Sequence, residues 1–360
     1  MKNHSQRYFC LLSMAIAISL STIGNAVSQS LPLVWVLSTG GTIAGKGATS
    51  TNLTEYQGAS LLGAELLAAV PEIKQYAEIK VEQVVNVPSP NMTPDVWRTL
   101  ANRINAIFAS DPKVAGIVIT HGTSTLEETA YFLHLTVRHD RPVVIVGSQR
   151  PATAISADGP LNLINAVRTA AEPAARGKGV LVVMNEEING ARDVTKSNTY
   201  RVETFRSGEL GFLGYVDDDK VSFYKSSSRR HTFNSEFDVS NIKQFPKVEV
   251  VYSYASSSPV QVEALVRDGA EGIIFAAAGA GSLSPSEVSA AKAALSGARP
   301  PVIMRSSRTG NGRVTGRKNF DDMGLIPTDN LSAQKSRILL MLALTKTRDP
   351  KEILRMFNEY

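Results

Sequence analysis

The sequence predicts an α/β protein: a larger N-terminal domain on a wound, largely parallel sheet, followed by a smaller C-terminal α/β domain. Three observations carry this prediction. Apolar runs without alternation, such as Gly116–Thr120 (GIVIT) and Pro142–Gly147 (PVVIVG), read as strands covered on both faces, the pattern of a parallel sheet. Those runs alternate with segments of helical period, which is how helices come to cover both faces. Beyond a polar interruption at Ser226–Pro246 the same alternation repeats on a smaller scale from Lys247. A chain of 360 residues, 43% hydrophobic and 20% charged, is long enough for two domains with cores of their own.

Met1–Ser28 stands apart from that pattern. Lys2 and Arg7 give a basic start, Phe9–Leu20 is an apolar run, and Ala26-Val27-Ser28 offers small residues at cleavage spacing, so the segment reads as a secretory signal peptide. A membrane anchor is the alternative, but the run is short for a span. Cys10 lies inside it, so the mature chain has no cysteine and neither disulfide nor thiol chemistry. The expected boundaries are 1–28 for the signal peptide, 29–232 for the N-terminal domain, 233–246 for a linker and 247–360 for the C-terminal domain. The formal charge of +5 falls to +3 without Lys2 and Arg7, too little and too scattered to suggest nucleic acid.

Within the first domain, the strand Leu31–Leu37 ends in Ser38-Thr39-Gly40-Gly41-Thr42-Ile43-Ala44-Gly45. Paired glycines after a strand allow a tight turn and close approach to a ligand, leaving the Thr42 hydroxyl open. Gly40, Gly45 and Lys46 partly match a phosphate loop, but Gly47 stands where a magnesium-binding hydroxyl is required. Lys46–Gly58 (KGATSTNLTEYQG) reads as a mobile loop or flap whose only aromatic is Tyr56. Leu62, Leu66 and Val70 mark a helix face ended by Pro71, Ile79–Val87 a strand, and Pro94–Ala109 a helix. The strand through Thr120 then stops on Thr-His-Gly-Thr, and Thr125 with Glu128 predicts a capping box for the next helix. Thr123 is thereby placed at the carboxyl end of a parallel strand, where such sheets bind ligands. Hydroxyls there also serve as helix caps, and this segment alone leaves both roles open. Asp158–Ala171 follows as a helix and Gly179–Met184 as a strand. Gly190–Asn198, containing Lys196, is an extended stretch broken by charges. In the second domain Val248–Tyr252, Gly272–Ala276 and Pro301–Met304 read as strands, and Val260–Arg267, Ser284–Leu295, Leu331–Leu344 and Pro350–Phe357 as helices.

The five histidines, His4, His121, His134, His139 and His231, include no i, i+4 pair, so no metal centre is expected. No G-x-S-x-G elbow is present. Strand-end hydroxyls, one lysine and a flap tyrosine remain, a set suited to nucleophilic acyl chemistry with threonine.

At this point the motifs become specific. TGGTIAG at Thr39–Gly45, THGTSTLEETAYFL at Thr120–Leu133, RPATAISADGPLN at Arg150–Asn162 and RDVTKSN at Arg192–Asn198 closely resemble, in order and spacing, the bacterial exported (type II) L-asparaginases and glutaminase-asparaginases. The resemblance runs on through RSSRTGNG at Arg305–Gly312 to LLMLALTKTRDP at Leu339–Pro350. It implies a periplasmic, cofactor-free amidohydrolase that acts on an asparagine-like small molecule, and a homotetramer with active sites between paired subunits. It also implies that Thr42 is the nucleophile and Tyr56 the flap tyrosine, and that Thr123 and Lys196 belong to a Thr-Lys-Asp group. Ser89 would hold the substrate carboxylate and the Ser148 carbonyl would meet the leaving amide, with Gly41 and Ser124 lining the substrate. Three positions depart from the family. Ser124 replaces an aspartate, Pro90 a glutamine or glutamate, and Arg313–Asp322 contains no glutamate to offer a neighbouring subunit, unless Asp321 or Asp322 substitutes. In the family all three contact the substrate's α-ammonium, so an amidase for a related amide and a non-catalytic binding protein stand as rival readings.

Overall fold

The computed structural model describes residues 30–360, and the leader read at Met1–Ser28 lies outside the described residues. β1 (Leu33–Ser38) leads into a short ribbon of β2 (Lys46–Gly47) and β3 (Tyr56–Gln57), then α1 (Gly63–Ala68). Strands and helices then alternate through β4 (Glu78–Gln83), α2 (Pro94–Ser110), β5 (Val114–Thr120), α3 (Leu126–Thr136), β6 (Val143–Val146), α4 (Gly159–Ala171) and β7 (Val180–Met184). After β8 (Glu187–Gly190), a second ribbon of β9 (Thr195–Lys196) and β10 (Phe205–Arg206) projects, before β11 (Gly214–Val216) and β12 (Val221–Phe223).

The eight-stranded sheet has the order β12-β11-β8-β7-β6-β5-β1-β4. β4, β1, β5, β6 and β7 run parallel, and β8, β11 and β12 add an antiparallel edge. The smaller layer is wholly parallel: β13 (Val248–Tyr252), α5 (Val260–Arg267), β14 (Gly272–Ala277), α6 (Pro285–Leu295), β15 (Val302–Ser307), α7 (Lys318–Asp321) and β16 (Ile326–Pro327), in the order β13-β14-β15-β16. α8 (Ala333–Ala343) and α9 (Pro350–Glu359) close the fold.

β5 shows why the apolar runs lack alternation. Ile117 and Ile119 enter one core and Val118 the opposite one, all three at 0% exposure. Each such side chain contributes about 1.5–3 kcal/mol on burial, which pins the strand end that carries Thr120–Thr123. α3 is buried along its whole length except at Glu128, because it lies between the large sheet and α8, and this explains its apolar sequence.

Two expectations need correction. The strand expected at Ile79–Val87 ends at Gln83; beyond it, Val84 and Val87 donate to the carbonyls of Ser38 and Thr39 and the chain leaves the sheet. The capping box at Thr125 does not form, since the Thr125 hydroxyl donates instead to the Ser89 carbonyl at 2.7 Å. The antiparallel edge β8, β11 and β12 was not foreseen, its strands being only 3 or 4 residues long. The segment 233–246 has little regular structure, and Phe237 and Val239 are buried in the main core. Among the described residues no helix is long and apolar enough to cross a membrane.

Candidate active site

Two turns at the carboxyl ends of adjacent parallel strands meet backbone to backbone. After β1 the chain takes a positive φ at Gly41 (85°), and a Cβ there would fall 2.2 Å from the Gly122 nitrogen in the turn after β5. Only glycine meets both demands. The residues that follow, Thr42 and Thr123, are thus brought to neighbouring strand ends.

Thr42 opens a short 3-10 turn, and its Oγ1 lies 2.7 Å from Tyr56 Oη on β3. The ribbon folds the Tyr56 ring over that turn; a Cβ on Gly45 would come within 2.8 Å of the ring. Across the site, Lys196 Nζ donates to Thr123 Oγ1 at 2.8 Å. Thr123 is buried and Lys196 half-buried, and burial lowers the lysine pKa below its ordinary value because the ammonium is denied water. Ser89, also buried, is stapled to the same turn: its hydroxyl accepts from the Ser124 N–H at 3.1 Å while its carbonyl accepts from Thr125. Ser124 itself is exposed. Ser148 follows β6, fully buried, its hydroxyl donating to the Arg150 carbonyl at 2.7 Å, and the preceding Gly147 lies against the Thr123 methyl.

The structure therefore gathers Thr42, Tyr56, Thr123, Lys196, Gly41, Ser89, Ser124 and Ser148 around the ends of β1, β5 and β6. Asp321 and Asp322 are both exposed: Asp321 lies beside Gly316, and Asp322 pairs with the exposed Lys318 at 2.9 Å. A hollow of about 530 Å³ beside the flap is lined by Leu53, Thr54, Gln149, Arg150 and Tyr200, among others. A cleft of about 630 Å³ between the two sheets contains none of Thr42, Tyr56, Thr123 and Lys196. Among the described residues no group of three or more His, Cys, Asp or Glu side chains is placed to hold a metal ion.

Supporting groups were missed from the sequence. His121 is fully buried, with Nδ1 2.7 Å from the Gly122 carbonyl and Nε2 2.9 Å from Thr129 Oγ1, which also accepts from Trp97 at 2.8 Å. Burial pulls its pKa down to about 4, so the ring is neutral and structural near neutral pH. The Asp158 carboxylate accepts from the Gln149 and Arg150 N–H groups and shapes the turn after Ser148. Glu127 is buried on α3 and accepts from Thr195 Oγ1 at 3.0 Å and from the Lys196 N–H at 3.2 Å. Glu127 is one of two adjacent carboxylates that open an otherwise apolar helix, and that was the available signal, because a carboxylate turned into a core is kept only where it is bonded.

With the geometry in hand, comparison with known proteins is consistent across the chain. Residues 33–229 match the family described as asparaginase, N-terminal, and residues 247–357 the glutaminase/asparaginase C-terminal domain. L-asparaginase 2 of Bacillus subtilis (strain 168) is 49% identical over 342 residues, spanning 95% of this chain and 90% of the relative. L-asparaginase 2 of Escherichia coli (strain K12) is 47% identical, spanning 93% and 95%. Among solved structures, the probable cytoplasmic L-asparaginase from Campylobacter jejuni superposes with a TM-score of 0.89 at 43% identity, spanning 92% of this chain and 100% of that one.

Proposed function

The chain belongs to the type II L-asparaginase and glutaminase-asparaginase family, and on that premise we propose that it hydrolyses the side-chain amide of L-asparagine, with L-glutamine as a second substrate, through an acyl-threonine at Thr42. The observation that supports this best is the 2.8 Å bond from a half-buried, pKa-lowered Lys196 to Thr123, at the neighbouring strand end to Thr42. A lysine kept from water loses its proton readily and serves as a base. In the proposed reaction Thr42 Oγ1 attacks the amide carbon, and its proton passes through the Thr123 hydroxyl to Lys196. The lysine returns that proton to the nitrogen as the C–N bond breaks and ammonia leaves. Water then attacks the ester, its proton takes the same route, and Thr42 regains a proton as L-aspartate is released. The backbone N–H of Thr123 stabilises the developing oxyanion, and Tyr56, held 2.7 Å from Thr42, covers the nucleophile when the flap is closed. Ser89 binds the substrate carboxylate and the Ser148 carbonyl the departing amide. Export to the periplasm and assembly as a homotetramer with paired active sites belong to the same reading, with support from the leader motif and the family resemblance.

A second reading is favoured by one observation. Among the described residues, the only carboxylate hydrogen-bonded to this cluster is Glu127, which is spent on Thr195, Lys196 and Gln334, while Ser124 and Pro90 bring no charge. A buried ammonium without acceptors is costly, which suits an amide whose α-nitrogen is acylated or absent. Ammonia release from L-asparagine, L-glutamine and N-acylated or des-amino amides separates the readings. Turnover of the uncharged amides alone would favour the second reading, and no release from any of them would leave a binding protein on this scaffold.

A further inference from the structure

β9 is two residues long and pairs only with the two residues of β10, so the ribbon does little to fix where Lys196 Nζ lies. What fixes it lies underneath. Glu127 Oε1 holds the Thr195 hydroxyl and the Lys196 N–H. Its other oxygen accepts from Gln334 at 3.3 Å and lies 3.9 Å from Nζ of Lys335, both on α8 of the smaller layer. Lys335, 2% exposed, donates to the carbonyls of Arg192 (2.8 Å) and Val194, the residues leading into the strand. The Arg192 and Val194 carbonyls, the Thr195 hydroxyl and the Lys196 N–H are thus tied to α3, which begins three residues after Thr123, or to α8.

We propose that Glu127 and Lys335 are a buried positioning pair for the reaction: Glu127 sets the Lys196 strand against Thr123, and Lys335 cancels the Glu127 charge so that Lys196 stays a neutral base. The proposal rests on Lys196 being that base. An uncompensated carboxylate beneath Lys196 would favour its ammonium form and idle it, because an opposite charge stabilises the charged state. The pairing also gives the smaller layer a part in the chemistry of the larger one, through a single lysine. The other ionisable groups facing Lys335 are Arg192 and Asp193, paired at 3.1 Å, with Glu128, which itself faces Arg337, and the buried His134. On the Lys196 side Arg206 of β10 is paired with Glu187 at 3.2 Å. All of these remain in every variant.

The test reads Lys196 ionisation directly, by trace acylation of the full-length protein across a pH series and mass spectrometry of the Lys196 peptide, with ammonia release from L-asparagine measured in parallel. Lys335→Met is expected to move the Lys196 curve to higher pH, and Glu127→Gln, which keeps the acceptor but drops the charge, to lower pH. The double variant returns towards wild type. Lys335→Met should also lower kcat roughly tenfold to a hundredfold with KM changed about twofold or less, as expected of a misplaced base. Curves that stay still, or move the same way in both single variants, overturn the proposal, since a merely structural pair has no reason to shift them oppositely. Should Lys335→Met fail to fold, Glu127→Gln against the double variant decides on the same criterion. Lys196→Met is run alongside. If it still releases ammonia, the base reading fails and takes the pair with it; if it is inactive while the curves stay still, only the pair is lost.

Discussion

Thr42 and Tyr56 sit where a short 3-10 turn meets a ribbon of two residues per strand, joined by one hydroxyl contact, whereas Thr123 and Lys196 are held by α3, β9 and the groups beneath them. Flanking Thr123, His121 is locked through Thr129 to Trp97, and Ser89 is stapled to Ser124 and Thr125. The first side is a pair of short loops tied by backbone bonds to their neighbours, and the second is anchored by side chains on packed helices. That division suits chemistry in which a base needs fixed geometry and constant desolvation while a nucleophile needs a cover that lets substrate in.

Removing either reacting group should have the largest effect and treat the two sides alike. Thr42→Ala and Lys196→Met are each expected to cut kcat by about a thousandfold or more with melting temperature and assembly unchanged, because groups acting as a unit fail as a unit. Steady-state kinetics with thermal melts checks this, and a largely active Thr42→Ala would remove the nucleophile assignment.

Ser124→Asp sharpens the comparison on the Thr123 side. A carboxylate there gives an α-ammonium a charge-assisted hydrogen bond worth about 1.5–3 kcal/mol, so kcat/KM for L-asparagine should rise by roughly one to two powers of ten. For an amide lacking the ammonium no gain is expected, because the carboxylate then meets no cation on the substrate. Equal changes on both substrates would show that Ser124 does not face the ammonium.

The Thr42 side is probed by Tyr56→Phe. Because the ring acts in the closed state, the variant should lose about tenfold in kcat with little change in KM, and stability should stay within about 0.5 kcal/mol. A rise in KM at constant kcat would contradict this.

The smallest effect at working pH concerns three buried histidines, of which His121 flanks Thr123. Burial holds His121 down to about 4 and His134 and His231 below their ordinary 6.5. With folded values depressed, the unfolded chain takes up protons that the folded one refuses. The stability that these rings confer is therefore complete above about pH 6.5 and is lost as the pH falls through the folded values; His121 alone accounts for on the order of 3 kcal/mol by pH 4. Denaturant melts across this range check it, and Thr42→Ala should follow the same curve as wild type.

Much of this was legible in the sequence because the parallel strands are long apolar runs and the helices between them are periodic. The turn residues Gly41, Thr42 and Thr123 could be singled out because turn glycines and strand-end hydroxyls have local causes, whereas Lys196 was reached only through the family resemblance of RDVTKSN. Other features had none. β8, β11 and β12 are too short for an alternating pattern to register, and Glu187–Gly190 (EING) reads as a turn until β7 pairs with it. Thr125 carries a capping motif, but the Ser89 carbonyl competes for its hydroxyl, and nothing near Thr125 in the chain announces that rival. Glu127 and Lys335 each look anomalous in an apolar helix, yet their meeting depends on how α3 and α8 pack.

The contact of Gly41 with Gly122 bears on how such a site can be altered. Two backbones already touching leave no side chain to trim and no room to add one, so the spacing of these two strand ends is not open to adjustment by substitution. Breadth is adjustable, since Leu53, Thr54, Gln149, Arg150 and Tyr200 around the neighbouring hollow are side chains on loops. Libraries aimed at longer or bulkier amides belong at those five positions, where substitutions widen the mouth, and would be wasted on the two glycines.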